Sequence, residues 1–220
     1  MKYYRLLEKI LNEGHAQENK KGSIKFLMNA RLSFNQLELA ELFQTHKVAK
    51  VKLGQELLLY MAGETNVEKY NAVGIEWWNY CAPNLVNSYP TYFQKLPALI
   101  EKINDEKRSS KNYVLFIGDT DAPTNQLPCL SLMQFQIHDN GLYLTVYQRS
   151  ADANLGLPSD IYQALLISKR IDVPLKNITF FIGNAHIYEN NIEPTQNLLK
   201  LASDKTLDPD FYPTKFSLNV

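Results

Sequence analysis

Three residues in this chain have the chemistry to work on a small anionic substrate. Cys129, in Leu127-Pro128-Cys129-Leu130, follows a proline-containing loop where a strand is expected to begin; a thiol there is a nucleophile if a cation favours its thiolate. Arg149, in Gln148-Arg149-Ser150, carries a fork of donors able to grip two phosphate oxygens at once, and Ser150 adds a hydroxyl. Glu56 sits in a run that is apolar nearly all round, so it places a carboxylate on a buried helix. Each has a plainer alternative. Cys129 can be a packing cysteine, Arg149 the exposed end of a surface strand, and Glu56 a charge on the wet side of its helix.

Composition narrows the partners. The chain has 220 residues, 45% hydrophobic and 21% charged, which is ordinary for a soluble globular protein. Lys plus Arg and Asp plus Glu number 23 each, so no overall field draws it to nucleic acid or an anionic membrane, and phosphate recognition must be local. The first residues interleave charge with apolar groups and lack a signal-peptide core, and no later run is long enough to span a bilayer; a cytoplasmic protein is expected. Two cysteines in unlike contexts, Cys81 and Cys129, give neither a disulfide scaffold nor metal-ligand spacing.

These residues need elements to hold them. Leu6, Leu7, Ile10 and Leu11 at helical spacing predict an opening helix, then a polar loop over 14–22 and a strand over 23–34. A buried helix over 51–62 carries Glu56, with Gly63-Glu64-Thr65-Asn66 supplying a stop and a fresh N-cap. A helix over 92–104 precedes a strand over 113–117. Strands over 130–137 and 142–147 flank Asp139-Asn140-Gly141 as a hairpin. A helix over 159–171 is entered from Pro158, followed by a strand over 177–188, a short helix over 193–202 and a last strand over 215–220. Strands and helices mix without a regular βαβ repeat, which predicts an α+β fold in one domain spanning 1–220.

The stretch from Gln148 to Asp160 resembles the nucleotide-binding signature of the thymidylate synthase family, Q-R-S-x-D-x-x-L-G-x-P-x-N, with Asp160 in place of the final Asn. The likeness continues in order elsewhere. Residues 56–66 are similar to E-L-L-W-F-L-x-G-x-T-N, Tyr89-Pro90-Thr91-Tyr92 to G-P-x-Y, and Gly183-Asn184-Ala185-His186-Ile187-Tyr188 to G-D-x-H-x-Y. The resemblance implies a mixed sheet flanked by helices and packed against its partner in a homodimer. It implies that Cys129 adds to C6 of a pyrimidine nucleoside monophosphate, making C5 a nucleophile for the one-carbon unit of 5,10-methylenetetrahydrofolate. Glu56 would organise water and proton transfers. Gln148, Arg149 and Ser150 would bind the nucleotide, His186 and Tyr188 its sugar hydroxyl, and Asp152, Gly156, Trp77 and Trp78 the folate. The partner subunit would bring Lys111 and Arg108 to the phosphate, where the family's S-R-R reads Ser109-Ser110-Lys111.

Asp160 decides the expected base. Uracil shows an acceptor at O4 and a donor at N3, which one Asn amide satisfies, whereas cytosine reverses the pattern. Family members acting on deoxycytidylate carry Asp here. An aspartate accepts from the 4-amino group and stabilises a protonated N3; an ionised one would meet O4 of uracil with another acceptor, a mismatch worth about 10⁴ in selectivity. Read locally, Asp160 is a residue favoured by a helix N-terminal dipole.

The chain also departs from the family. Leu130 replaces the histidine after the nucleophile, and Asn184 the aspartate of G-D-x-H-x-Y. Phe216-Ser217-Leu218-Asn219-Val220 matches the strand before the family's closing tail, so the expectation is an open site in which water reaches the exocyclic methylene. The reading is therefore hydroxymethylation of dCMP or CMP. The alternatives are methylation of dUMP and a non-catalytic nucleotide-binding homologue.

Overall fold

The computed structural model describes residues 1–19, 22–122 and 127–203. In chain order the elements are α1 (Lys2–Glu13), β1 (His15–Asn19), β2 (Gly22–Phe34), α2 (Gln36–Thr45), α3 (Lys50–Met61) and α4 (Val67–Asn71). There follow α5 (Tyr89–Phe93), α6 (Leu96–Glu106), β3 (Tyr113–Phe116), β4 (Leu130–His138), β5 (Gly141–Asp152), α7 (Gly156–Ser168), β6 (Leu175–Tyr188) and α8 (Ile192–Ser203). The six strands form one mixed sheet in the order β1-β2-β6-β5-β4-β3, so the expected α+β class holds. Every pairing is antiparallel except β5 with β6, whose parallel arrangement requires a long crossover; α7 supplies it.

Period-two alternation sorts the sheet's faces. Leu32, Phe34, Met133, Phe135, Leu144, Val146, Ile178, Phe180 and Ile182 are buried on the helix-covered face, each contributing about 1.5–3 kcal/mol by leaving water. The opposite face carries a row from register partners: Arg31 beside Phe181, then Tyr147, Leu132 and Phe116. Phe181, Tyr147 and Phe116 are 41%, 44% and 69% exposed, so among the described residues nothing covers this face.

Several boundaries differ from expectation. The polar stretch read as a loop over 14–22 contains strand β1, because pairing with β2 rather than any apolar pattern of its own holds it. The helix expected over 92–104 is two, α5 and α6, broken at Gln94 and Lys95 just before Leu96-Pro97, where proline favours a helix start. The helix expected to begin at Ser159 begins at Gly156 and ends at Ser168. Helix α2 was not anticipated, although Asn35 and Glu38 form a reciprocal capping box at 2.9 and 3.0 Å. The hairpin turn is as expected: Asp139 and Asn140 take φ of 47° and 54°, the left-handed pair a two-residue turn needs. The closing strand over 215–220 lies outside the described residues. Among those described, no helix is long and apolar enough to cross a membrane.

Candidate active site

The three central strands bring the sequence motifs to one end of the sheet. The parallel register sets Ser150 beside Asn184 and Asp152 beside His186. The antiparallel register sets Leu130 beside Gln148, and the Arg149 N–H donates to the Cys129 carbonyl at 2.8 Å. Cys129 is partly exposed, and the Ser150 hydroxyl lies 3.4 Å from its Sγ. Arg149 holds the same segment by side chain: Nη2 donates to the Leu127 carbonyl at 2.7 Å, Nε to Pro128 at 3.1 Å and Nη1 to Ser150 Oγ at 3.2 Å. The guanidinium thereby fixes the loop that carries the thiol.

His186 is partly buried, and Nδ1 lies 3.1 Å from Asn184 Oδ1. Burial lowers its pKa; a hydrogen bond to the Asn184 main chain opposes this and the nearby Arg149 charge adds to it, so the neutral ring is favoured. With Asn184 accepting from Nδ1–H, Nε2 is left as an acceptor for a ligand hydroxyl. Tyr188 stands edge-on to this ring with centroids 5.2 Å apart.

Glu56 is 4% exposed, on the side of α3 that faces α7. Its Oε1 accepts from both Trp77 Nε1 and Trp78 Nε1 at 2.6 Å, and Oε2 from Gln163 Nε2 at 2.6 Å. Burial raises its pKa, while these donors and the Tyr60 hydroxyl pull it back. The two tryptophans expected at the folate wall thus have their indole N–H groups engaged on the glutamate. Gln163 and Tyr60 escaped the sequence reading, since an amide three residues after Asp160 carries no motif of its own.

Asp160 lies beyond the first turn of α7, so the helix terminus is not what holds it. Its Oδ2 accepts from Gln148 Nε2 at 2.6 Å. Burial pushes its pKa up to about 7; the Gln148 bond opposes this, and the Glu56 and Asp152 charges add to it. Gln148 is fully buried and its Oε1 has no partner among the described residues, leaving an acceptor beside Asp160 for a donor to fill. Asp152 accepts from the Asn154 and Leu155 N–H groups at 3.0 and 3.1 Å, turning the chain into α7 just before Gly156. Burial raises its pKa to about 6 against those bonds.

Lys111 and Arg108 are not brought to this end. They lie on the connection into β3, whose Tyr113 pairs with Phe135, six residues along β4 from Cys129 and so about 20 Å away. Arg108 is paired with Glu106 at 2.9 Å.

The thymidylate synthase family model matches residues 1–211. The chain belongs to the thymidylate synthase family. A thymidylate synthase of Buchnera aphidicola subsp. Baizongia pistaciae (strain Bp) is 28% identical over 212 residues, covering 87% of this chain and 80% of the relative. Family members transfer a one-carbon unit from methylenetetrahydrofolate to C5 of a pyrimidine nucleoside monophosphate, and this sets the reaction class of the chain.

Proposed function

We propose that this family member acts on a cytosine nucleotide and hydroxymethylates C5 of dCMP or CMP. The supporting observation is Asp160, a half-buried carboxyl group where uracil-specific members place an amide, held by Gln148 at 2.6 Å. A carboxyl accepts from the 4-amino group and gives or shares a proton at N3. Cys129 forms the bond to C6, and Arg149 with Ser150 takes the phosphate. His186 Nε2 accepts from a sugar hydroxyl. Glu56, held by its N–H donors, orders water and protons over the ring. Methylenetetrahydrofolate supplies the one-carbon unit, with Trp77, Trp78, Asp152 and Gly156 on its side of the site.

The open sheet face supports a homodimer as part of this reading. A row of exposed aromatic residues spanning the sheet is costly in water and is satisfied by a second copy, and isologous packing is the commonest way to cover such a face. Lys111 and Arg108, too far along β4 to serve their own site, are then available to the partner's phosphate.

The test is incubation with methylenetetrahydrofolate and equal dCMP, CMP and dUMP, with products identified by mass. A hydroxymethylated cytosine nucleotide is expected and reveals the sugar preferred. Methylated dUMP would replace the reading with thymidylate synthesis, the activity named for the Buchnera relative. Nucleotide binding with no product would make this a binding homologue.

A further inference from the structure

Gln163 belongs to none of the motifs that carry the family likeness, yet it touches the buried glutamate. Its Nε2 donates to Glu56 Oε2 at 2.6 Å and to the Leu53 carbonyl at 3.4 Å. Both partners are acceptors, so the amide has one orientation; turned over, its oxygen would face a carboxylate and a carbonyl. With Trp77 and Trp78 on Oε1, both oxygens of Glu56 meet N–H groups that cannot accept a proton. That surrounding matches the ionised form.

Asp160, one helical turn before Gln163 on the same side of α7, is supplied differently. Gln148 is its side-chain donor. A cavity of about 20 Å³, room for about one water, is lined by both Asp160 and Gln163 together with Tyr89 and Met133. The groups bearing on Asp160 are Glu56 from α3 and Asp152 from the end of β5, both acidic, and the Tyr89 phenol from α5. From β6 the buried face is Ile178, Phe180 and Ile182. Two neighbouring carboxylates, one buried and one half-buried, do not both ionise cheaply, and the better-supplied one keeps the charge.

We propose that Gln163 is a positioning residue that decides which of these two carboxylates is charged before a nucleotide binds, leaving Glu56 ionised and Asp160 holding the proton. Its use in the reaction rests on the cytosine reading above. A protonated Asp160 offers one donor and one acceptor, which suits N3 and the 4-amino group of cytosine; turned over it also meets O4 and N3–H of uracil, so selection against uracil rests on the ionised form. As the Cys129 sulfur bonds to C6, the ring electrons move toward N3; the Asp160 O–H bond breaks, an N3–H bond forms, and the negative charge that began on sulfur ends on Asp160.

The experiment is carboxyl ¹³C NMR of ligand-free protein labelled at Asp and Glu, titrated from pH 4 to 9, with Asp160→Asn and Glu56→Gln assigning the two signals. In the wild type, Asp160 is expected to be protonated at pH 6 while Glu56 is ionised; the reverse order overturns the proposal without any Gln163 variant. In Gln163→Leu, or Gln163→Met if that fails to fold, the Glu56 midpoint is expected to rise by at least one pH unit and the Asp160 midpoint to fall. The alkaline limb of kcat/KM should move to lower pH with it, which a merely packing role would not do. Unmoved midpoints in a folded variant overturn the proposal. Because the titration needs no nucleotide, moved midpoints with no conversion of cytosine nucleotides would sustain the proton placement and overturn the substrate reading.

Discussion

The main-chain N–H of Arg149 donates to the Cys129 carbonyl at 2.8 Å, so the candidate phosphate ligand and the candidate nucleophile are adjacent steps of one ladder. Since the Arg149 side chain also holds the Leu127 and Pro128 carbonyls, Arg149→Ala removes two functions together. Nucleotide affinity is expected to fall at least tenfold, about 1.4 kcal/mol, and the thiol to react faster with a small alkylating reagent as its loop loosens. Arg149→Lys restores neither, because an ammonium cannot span two carbonyls and a phosphate. Calorimetric titration with dCMP and alkylation rates check both.

Asp160 predicts a pH slope in stability. Its folded pKa of about 7 lies above the unfolded value near 3.9, so the folded state binds the extra proton between those limits. The stabilisation is full below about pH 4 and is lost as pH rises through 7. Asp160→Asn removes the slope. Urea unfolding at pH 5 and pH 8 should show the variant gaining on the wild type by about 2–4 kcal/mol at the higher pH. Equal differences at both pH values would contradict the buried, proton-holding carboxyl.

Gly183 lies where β6 passes Arg149. A Cβ there would meet the Arg149 carbonyl oxygen at 2.8 Å, a main-chain atom that cannot swing aside. Gly183→Ala is expected to cost about 1–3 kcal/mol and to lower the melting temperature by several degrees. Because the ladder widens next to Arg149, dCMP affinity should fall as well.

Phe181 stands in the exposed row beside Tyr147, with the Arg31 guanidinium 5.8 Å from its ring centroid. Phe181→Glu is expected to yield a monomer by light scattering, since a carboxylate in the middle of a packed sheet face costs more desolvation than pairing with Arg31 returns. If Lys111 and Arg108 serve a partner's phosphate, the monomer also loses affinity for nucleotide. A wild-type monomer at micromolar concentration would remove the homodimer from the reading.

Much of this was legible in the chain because local physics and motif order agree. Asp139-Asn140-Gly141 dictated its hairpin through left-handed φ values, and the periodic run around Leu57 dictated a buried helix with Glu56 inside. The residues that failed to announce themselves act through distance. Strand β1 is polar and exists by pairing with β2. Gln163 and Tyr60 have meaning only once α3 and α7 meet, and no spacing within either helix encodes that meeting. The tryptophans stand out in the sequence as candidate folate contacts, but their hydrogen bonds to Glu56 are a tertiary fact. Helix α2 is the opposite case, since its Asn35 and Glu38 capping box is a wholly local signal.

Glu56 and Gln163 are separated by 107 residues of chain and meet at 2.6 Å. Cys129, Arg149, Asp160 and His186, by contrast, come from one continuous stretch that the strands β4, β5 and β6 assemble among themselves. Closing the longer loop costs more chain entropy before any contact rewards it. A refolding chain is expected to regain the strand-borne part of the candidate site before its glutamate, and the return of indole fluorescence, with Trp77 and Trp78 seated on Glu56, is expected to time the moment at which the site becomes whole.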